Sequence, residues 1–312
     1  MVASDKTRET EFVFNRLLIP LDGSKTAEQV MPWARIIAQG FSTPSVELLT
    51  AVDIGSLLTS VDNARRFDDL VEQLSREGKE YLQRISGYFG GRKLTRSIEQ
   101  GDPAELIVAK AEADKTILIA MTTHGRSGLN RWLLGSVAEK VLRATANPLL
   151  LARAAHEGEF NHSEKLTSII VPLDGSGLAE SVLPAAIQIA KKLSLEVYLI
   201  SVCDNPYSPF VSGGGHYAVN VDALMQDRRD QARNYLEAKM AELRQRGVEQ
   251  ISYLLQEGSA ADEILSVAEQ TPDSMIVMCS HGRSGVKRWA LGSVTETVVR
   301  HSRNPVLVIR GT

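Results

Sequence analysis

Thr123, His124, Gly125, Arg126, Ser127 and Gly128 are followed by Arg131, Trp132, Leu134, Gly135, Ser136 and Val137, and nearly the same types return from Ser280 to Gly285, at Arg288 and Trp289, and from Leu291 to Val294. Glycines at 125, 128 and 135 leave the backbone bare where a chain must bend sharply or approach a ligand closely. Gly135 and Ser136 then lead into a helical pattern whose first amides have no intrahelical acceptor. Bare backbone running into such amides suits an anion, and phosphate above all. Gly282, Gly292 and Ser293 reproduce the arrangement in the second copy.

Plainer readings stand beside this one. Ser136 with Glu139, and Ser293 with Glu296, match a capping box in which each serine caps its own helix; this leaves the upstream glycines unexplained. Asp22 and Asp174 each open an Asp-Gly-Ser turn, and fit either ligand carboxylates or aspartates bonding their own backbone. A carboxylate facing a phosphate calls for an intervening cation such as Mg2+. His124 and His281 lack a recurring nucleophile nearby, which fits loop orientation better than general-base duty. Arg126 and Arg283 have the reach for phosphates. Trp132 and Trp289 read as packing anchors, and Cys279 as a buried thiol with redox sensitivity as the alternative.

The elements that must position these residues alternate along each copy. Strands are expected at Leu17–Leu21, Val46–Val52, Leu94–Glu99, Thr116–Met121 and Leu149–Ala152, with helices over Ala27–Gln39, Asp68–Ile85, from Pro103, and over Ser136–Ala144. The second copy repeats the order, with strands at Ile169–Leu173, Glu196–Val202, Ser252–Leu255, Met275–Met278 and Val306–Ile309. Continuously apolar strands alternating with helices predict an α/β fold of two tandem, doubly wound, parallel five-stranded sheets of Rossmann-like type. Ligands of such sheets bind beyond the strand ends where strand order reverses, which is where Asp22, Asp53 and the glycine loop fall.

The repeat has the size of a whole domain, so residues 1–155 and 165–312 are expected to be two domains joined by a polar stretch. Pro20 to Ser24 recurs as Pro172 to Ser176, and Asn147-Pro148 as Asn304-Pro305. The glycine loops lie farther apart than Asp22 and Asp174 do, so the second copy has gained a short insertion after Asp204. There, Gly and Pro residues between Asn205 and Tyr217 suggest a lid.

At 43% hydrophobic and 23% charged, with net charge -3, the chain is expected to be cytoplasmic, with neither a membrane span nor a signal peptide. The absence of a basic block argues against nucleic acid as a partner. Two cysteines give no disulfide framework.

On these residues the chain resembles the universal stress protein family in its tandem form. Nucleotide-binding members are similar in carrying Gly, two residues, Gly, nine residues, then Gly and Ser or Thr. Here Thr122 and Cys279 stand at the first glycine, while Gly125, Gly135 and Ser136, and Gly282, Gly292 and Ser293, fit the rest. The resemblance implies an adenine nucleotide alpha hydrolase-like fold that binds ATP, or ADP or AMP, with Mg2+ as an optional companion. By the same resemblance Asp22 and Asp174 face ribose or phosphate, Ala51 and Val202 meet adenine, Pro20, Leu21, Met121, Pro172, Leu173 and Met278 line the pockets, and Val137, Ala138, Val294 and Thr295 extend the phosphate cradle. β-Branched Thr122, and Cys279, would narrow the site.

The function implied is a stress-response or regulatory protein that binds nucleotide with slow hydrolysis at most. A scaffold of the same fold without nucleotide, and more remotely an ATP-dependent ligase or nucleotidyltransferase, are the alternatives. The last strands of the two copies are expected to pair within the chain as a pseudo-dimer, with a homodimer of whole chains as a further level of assembly.

Overall fold

The computed structural model describes residues 14–41, 45–55, 64–90, 92–124, 134–153, 164–203, 221–282 and 291–311. The first half contains β1 (Arg16–Pro20), α1 (Lys25–Glu28), α2 (Met31–Gly40), β2 (Ser45–Val52), α3 (Ala64–Ser86), β3 (Lys93–Gln100), α4 (Pro103–Glu112), β4 (Ile117–Thr122), α5 (Ser136–Ala144) and β5 (Leu149–Ala152). The second contains β6 (Ser168–Pro172), α6 (Gly177–Glu180), α7 (Leu183–Leu193), β7 (Glu196–Cys203), α8 (Val221–Gln245), β8 (Ile251–Glu257), α9 (Ala260–Gln270), β9 (Ser274–Cys279), α10 (Ser293–His301) and β10 (Val306–Ile309).

The helix expected over Ala27–Gln39 is two helices. Pro32 has no amide to donate and its ring crowds the preceding turn, so the ladder stops at Glu28 and restarts at Met31. Three-residue bonds, Gln29 N to Thr26 O at 3.2 Å and Val30 N to Ala27 O at 3.5 Å, bridge the break. Pro184 splits α6 from α7 in the same way.

Each half has its strands in the order 3-2-1-4-5, and the two halves meet edge to edge in one ten-stranded sheet, β3-β2-β1-β4-β5-β10-β9-β6-β7-β8. All neighbours are parallel except β5 and β10, which pair antiparallel with Leu150 opposite Leu307. The expected pairing of the last strands is therefore the seam of the molecule.

The unbroken apolar run of β5 is explained by two core layers. Leu149 and Leu151 face one, together with Ile107 of α4, Val141 of α5 and Ile264 of α9. Leu150 and Ala152 face the other, with Ala34 of α2, Leu82 of α3 and Ile187 of α7. Successive strand residues point to opposite faces, so a sheet covered on both sides needs apolar residues at every position. Both layers run through the seam.

Charges complete the seam symmetrically. Arg153 Nη1 donates to the last carbonyl of α10, His301 O, at 3.1 Å, while Arg310 Nη2 donates to Leu142 O and Arg143 O near the end of α5 at 3.3 and 2.8 Å. Each half thus supplies a cation to the negative end of the other's final helix. Arg143 and Arg300 also reach across, to Glu296 at 3.6 Å and Glu139 at 3.7 Å.

Within the first half, buried Glu47 of β2 ties three elements: Arg16 at 2.9 Å, Lys110 at 2.9 Å and the Ser97 hydroxyl at 2.7 Å. Burial alone would push its carboxyl upward, but the Ser97 bond and the charges of Lys110 and Arg16 together hold it below the ordinary value. Among the described residues no helix is long and apolar enough to cross a membrane.

Arg310→Ala leaves two helix-end carbonyls without their cation and should lower unfolding free energy by about 1–2 kcal/mol, measured by urea denaturation. Because Glu47 has a depressed carboxyl, its stabilisation is present above the ordinary value of 4.5 and is lost as the pH falls through the depressed one. Glu47→Gln should therefore be less stable than the parent at neutral pH and lose less stability on acidification.

Candidate functional site

Strand order reverses between β1, which pairs with β2 on one side and β4 on the other, and a crevice opens beyond their carboxyl ends. It is a cavity of about 740 Å³. Pro20, Leu21 and Asp22 from the end of β1, Ala51 from β2, Met121 and Thr122 from β4, and Gly135, Ser136, Val137 and Ala138 from the entrance of α5 all line it. Gly125 and Arg126 lie outside the described residues, as do Gly128, Trp132, Arg283, Trp289 and the segment 204–220.

Gly135 does not need a left-handed backbone; it is extended, with φ -61° and ψ 146°. What it needs is space. Its amide donates to Thr123 O at 2.7 Å, and a Cβ there would stand 3.0 Å from that same oxygen and 3.4 Å from the His124 Cα. The bond clasps the base of the glycine loop, joining the end of β4 to the start of α5. Gly292 repeats the clasp, donating to Ser280 O at 2.8 Å.

The capping-box expectation is corrected here. Gly135 and Gly292 occupy the N-cap positions, and Ser136 and Ser293 are the first helical residues, one place too late to cap. Glu139 and Glu296 turn instead to Arg143 and Arg300 one turn on, at 3.0 and 2.8 Å. The amides of Ser136, Val137 and Ala138 take no acceptor among the described residues, because a helix leaves its first turn of donors unbonded and no side chain serves them.

Asp22 bonds its own turn, as the plainer reading has it, and also lines the cavity. Its Oδ1 accepts from Ser24 N at 2.9 Å and Ser24 Oγ at 2.6 Å, and Ser24 Oγ in turn caps α1 by accepting from Ala27 N at 3.1 Å. This turn holds the aspartate on the cavity wall. Asp174 makes the same pair of bonds to Ser176, at 2.9 and 2.6 Å. Its other oxygen lies 2.5 Å from where a Gly282 Cβ would be, so two residues distant in sequence meet only because one is glycine.

Neither Thr122 nor Cys279 has a positive φ, so the absent first glycine costs no backbone strain. The Thr122 hydroxyl donates to His124 O at 2.5 Å. In the second half the Thr295 hydroxyl, where the first half has Ala138, donates to Cys279 O at 2.8 Å and binds α10 to the strand end. Pro172, Leu173, Val202, Met278, Ser293 and Val294 occupy the equivalent strand ends and helix entrance of that half.

His124 Nδ1 pairs with Thr123 Oγ1 at 3.1 Å, and His281 Nδ1 with Ser280 Oγ at 2.9 Å. Burial first, then the charge of Arg153 beside His124 and of Arg310 beside His281, holds both rings below their ordinary value of 6.5, so they are neutral at pH 7. These arginines are the ones that grip the opposite helices.

Sequence reasoning missed the fourth wall. Leu74, Glu77, Gly78, Glu80, Tyr81 and Arg84 of α3 all face the cavity. The signal was Gly78, an unfavourable residue inside a helix; a Cβ there would stand 3.1 Å from Ile98 Cδ1.

A model described as the universal stress protein family matches residues 14–153 and again residues 165–310. A universal stress protein of Methanocaldococcus jannaschii is 37% identical over 144 residues, 46% of this chain and 81% of that protein. One from Mycolicibacterium smegmatis is 19% identical across 94% of this chain and 96% of its own. The crystal structure of a universal stress protein from Archaeoglobus fulgidus covers 95% of this chain and 98% of its own, with TM-score 0.67 and 21% identity, a likeness of fold.

Proposed function

Because the chain belongs to the universal stress protein family, we propose that it binds an adenine nucleotide, ATP in preference to ADP or AMP, and acts as a cytoplasmic regulatory protein of the stress response with little turnover. Each of its two domains, residues 1–155 and 165–312, carries a glycine loop for this purpose, and the first is the better-formed site. The observation that carries the reading is the cavity of about 740 Å³ in which an aspartate, bare glycine backbone and three unclaimed helix amides share one wall system.

The chain's residues suit the ligand part by part. Amides of Ser136, Val137 and Ala138 fit the terminal phosphates, where charge-assisted bonds contribute about 1.5–3 kcal/mol each. Apolar Met121 and the backbone of Ala51 line the cavity and suit a flat base, and Asp22 lines it as well. Mg2+ would offset the repulsion between the phosphates and the Asp22 and Asp53 carboxylates, both on the cavity wall. The contact of His124 Nδ1 with the Thr123 hydroxyl suits a residue that orients the loop. The scaffold alternative loses its main support, since Thr122 imposes no strain where glycine is absent.

Denaturing the purified protein and analysing what it releases should yield adenine nucleotide, and calorimetry should show ATP binding tighter than AMP. A protein that carries none and does not respond to millimolar ATP would overturn the reading. Gly135→Val forces the clasp apart and should weaken the first site about tenfold or more, with the fold retained by circular dichroism.

A further inference from the structure

We propose that the Tyr81 hydroxyl is a ligand contact of the first-half cavity, exchanging hydrogen bonds with a sugar hydroxyl and making that half selective for ribonucleotides over their deoxy forms. This rests on the nucleotide reading above.

Tyr81 lies on α3 in the cavity wall and is only 7% exposed, yet its hydroxyl has no hydrogen-bond partner. Buried phenols are almost always bonded, so the exception needs a cause. The second half provides the comparison. There Tyr235 donates to Glu180 Oε1 at 2.9 Å, and Lys239, one turn on, reaches Glu180 Oε2 at 2.8 Å, so that phenol is committed to the protein. In the first half Ile85 stands one turn after Tyr81, and the corresponding carboxylate, Glu28, is held by Lys25 of its own helix at 3.1 Å. The Glu28 carboxylate interacts with the Tyr81 hydroxyl closely enough to help keep it protonated, yet stays outside hydrogen-bond geometry, its own oxygen being held by Lys25. The duplication has left one phenol tied down and the other available.

The surroundings select what can meet it. Burial, then the nearby charges of Glu28 and Asp22 and the approach of the Glu28 carboxylate, push the phenol well above its ordinary value, so it stays protonated and can donate. The Arg84 guanidinium over the ring, 5.4 Å from its centre, covers one face. Asp22, Glu77 and Glu80 on the same cavity wall disfavour an anion at this end and favour a group that donates as well as accepts. A sugar hydroxyl does both, accepting from Tyr81 while donating to a carboxylate.

The test titrates the full-length protein, Tyr81→Phe and Tyr235→Phe with ATP, 2′-deoxy-ATP and 3′-deoxy-ATP, and melts each protein without nucleotide. Tyr81→Phe should bind ATP about tenfold more weakly and lose the preference over one deoxy form, while melting no lower than the parent because no protein bond is lost. Tyr235→Phe should melt lower and leave that preference intact. A Tyr81→Phe protein with unchanged ATP affinity and unchanged ribose preference overturns the proposal and leaves the nucleotide reading standing. A lower melting temperature for Tyr81→Phe, with the preference kept, also overturns it by making the hydroxyl structural. A parent protein that binds none of the three removes the nucleotide reading itself.

Discussion

One backbone hydrogen bond, from the Gly135 amide to the Thr123 carbonyl at 2.7 Å, governs the first-half site. It brings the end of β4 against the start of α5 so closely that a side chain at 135 would meet the carbonyl it bonds. With the helix entrance held there, its first amides face the crevice where the strand order reverses, and the cavity acquires its electropositive side. The same bond in the second half, from Gly292 to Ser280 at 2.8 Å, shows that the constraint was copied with the domain. Glycine here is a matter of clearance, since both residues hold an extended conformation open to any amino acid.

The copies diverge around that shared constraint. Each half places an aspartate, a glutamate and a tyrosine along the same side of its site, but the compensating lysine comes from different places. Lys25 precedes Glu28 on its own short helix, where the second half has Gly177; Lys239 reaches Glu180 from the long helix α8, where the first half has Ile85. The first arrangement neutralises the glutamate and leaves α3 facing an open cavity. The second fastens α8 to α6 through both a phenol and an ammonium, and Thr295 adds a bond from α10 to the strand end. The same glutamate position is thus balanced by a lysine from a different helix in each half.

Fusion of the halves follows from what their last strands would otherwise expose. β5 and β10 are short, wholly buried and apolar, and antiparallel pairing satisfies both edges at once. Arginines just beyond these strands then reach the opposite helix ends, while their charges also lower the basicity of the loop histidines of their own halves. The seam and the two loops are thus electrostatically adjacent, although each loop belongs to one half alone.

Much of the molecule was legible in the chain because it rests on local rules. Strand and helix alternation followed from apolar runs. Pro32 carried the break in the first helix, though its weight emerged only from the observed hydrogen bonds. Asp22, Met121, Gly135 and Ser136 could be placed at one rim because doubly wound sheets gather successive strand ends there. The serine caps were misread by one position: the sequence pattern fits two registers, and the clasp to Thr123 selects the earlier start, with glycine at the N-cap. What tertiary structure alone decided is the wall formed by α3 and the separate fates of Tyr81 and Tyr235. The same residue type in the same repeat is bonded in one half and unbonded in the other, because its partner depends on a lysine placed by a different helix, and no local spacing encodes that distance.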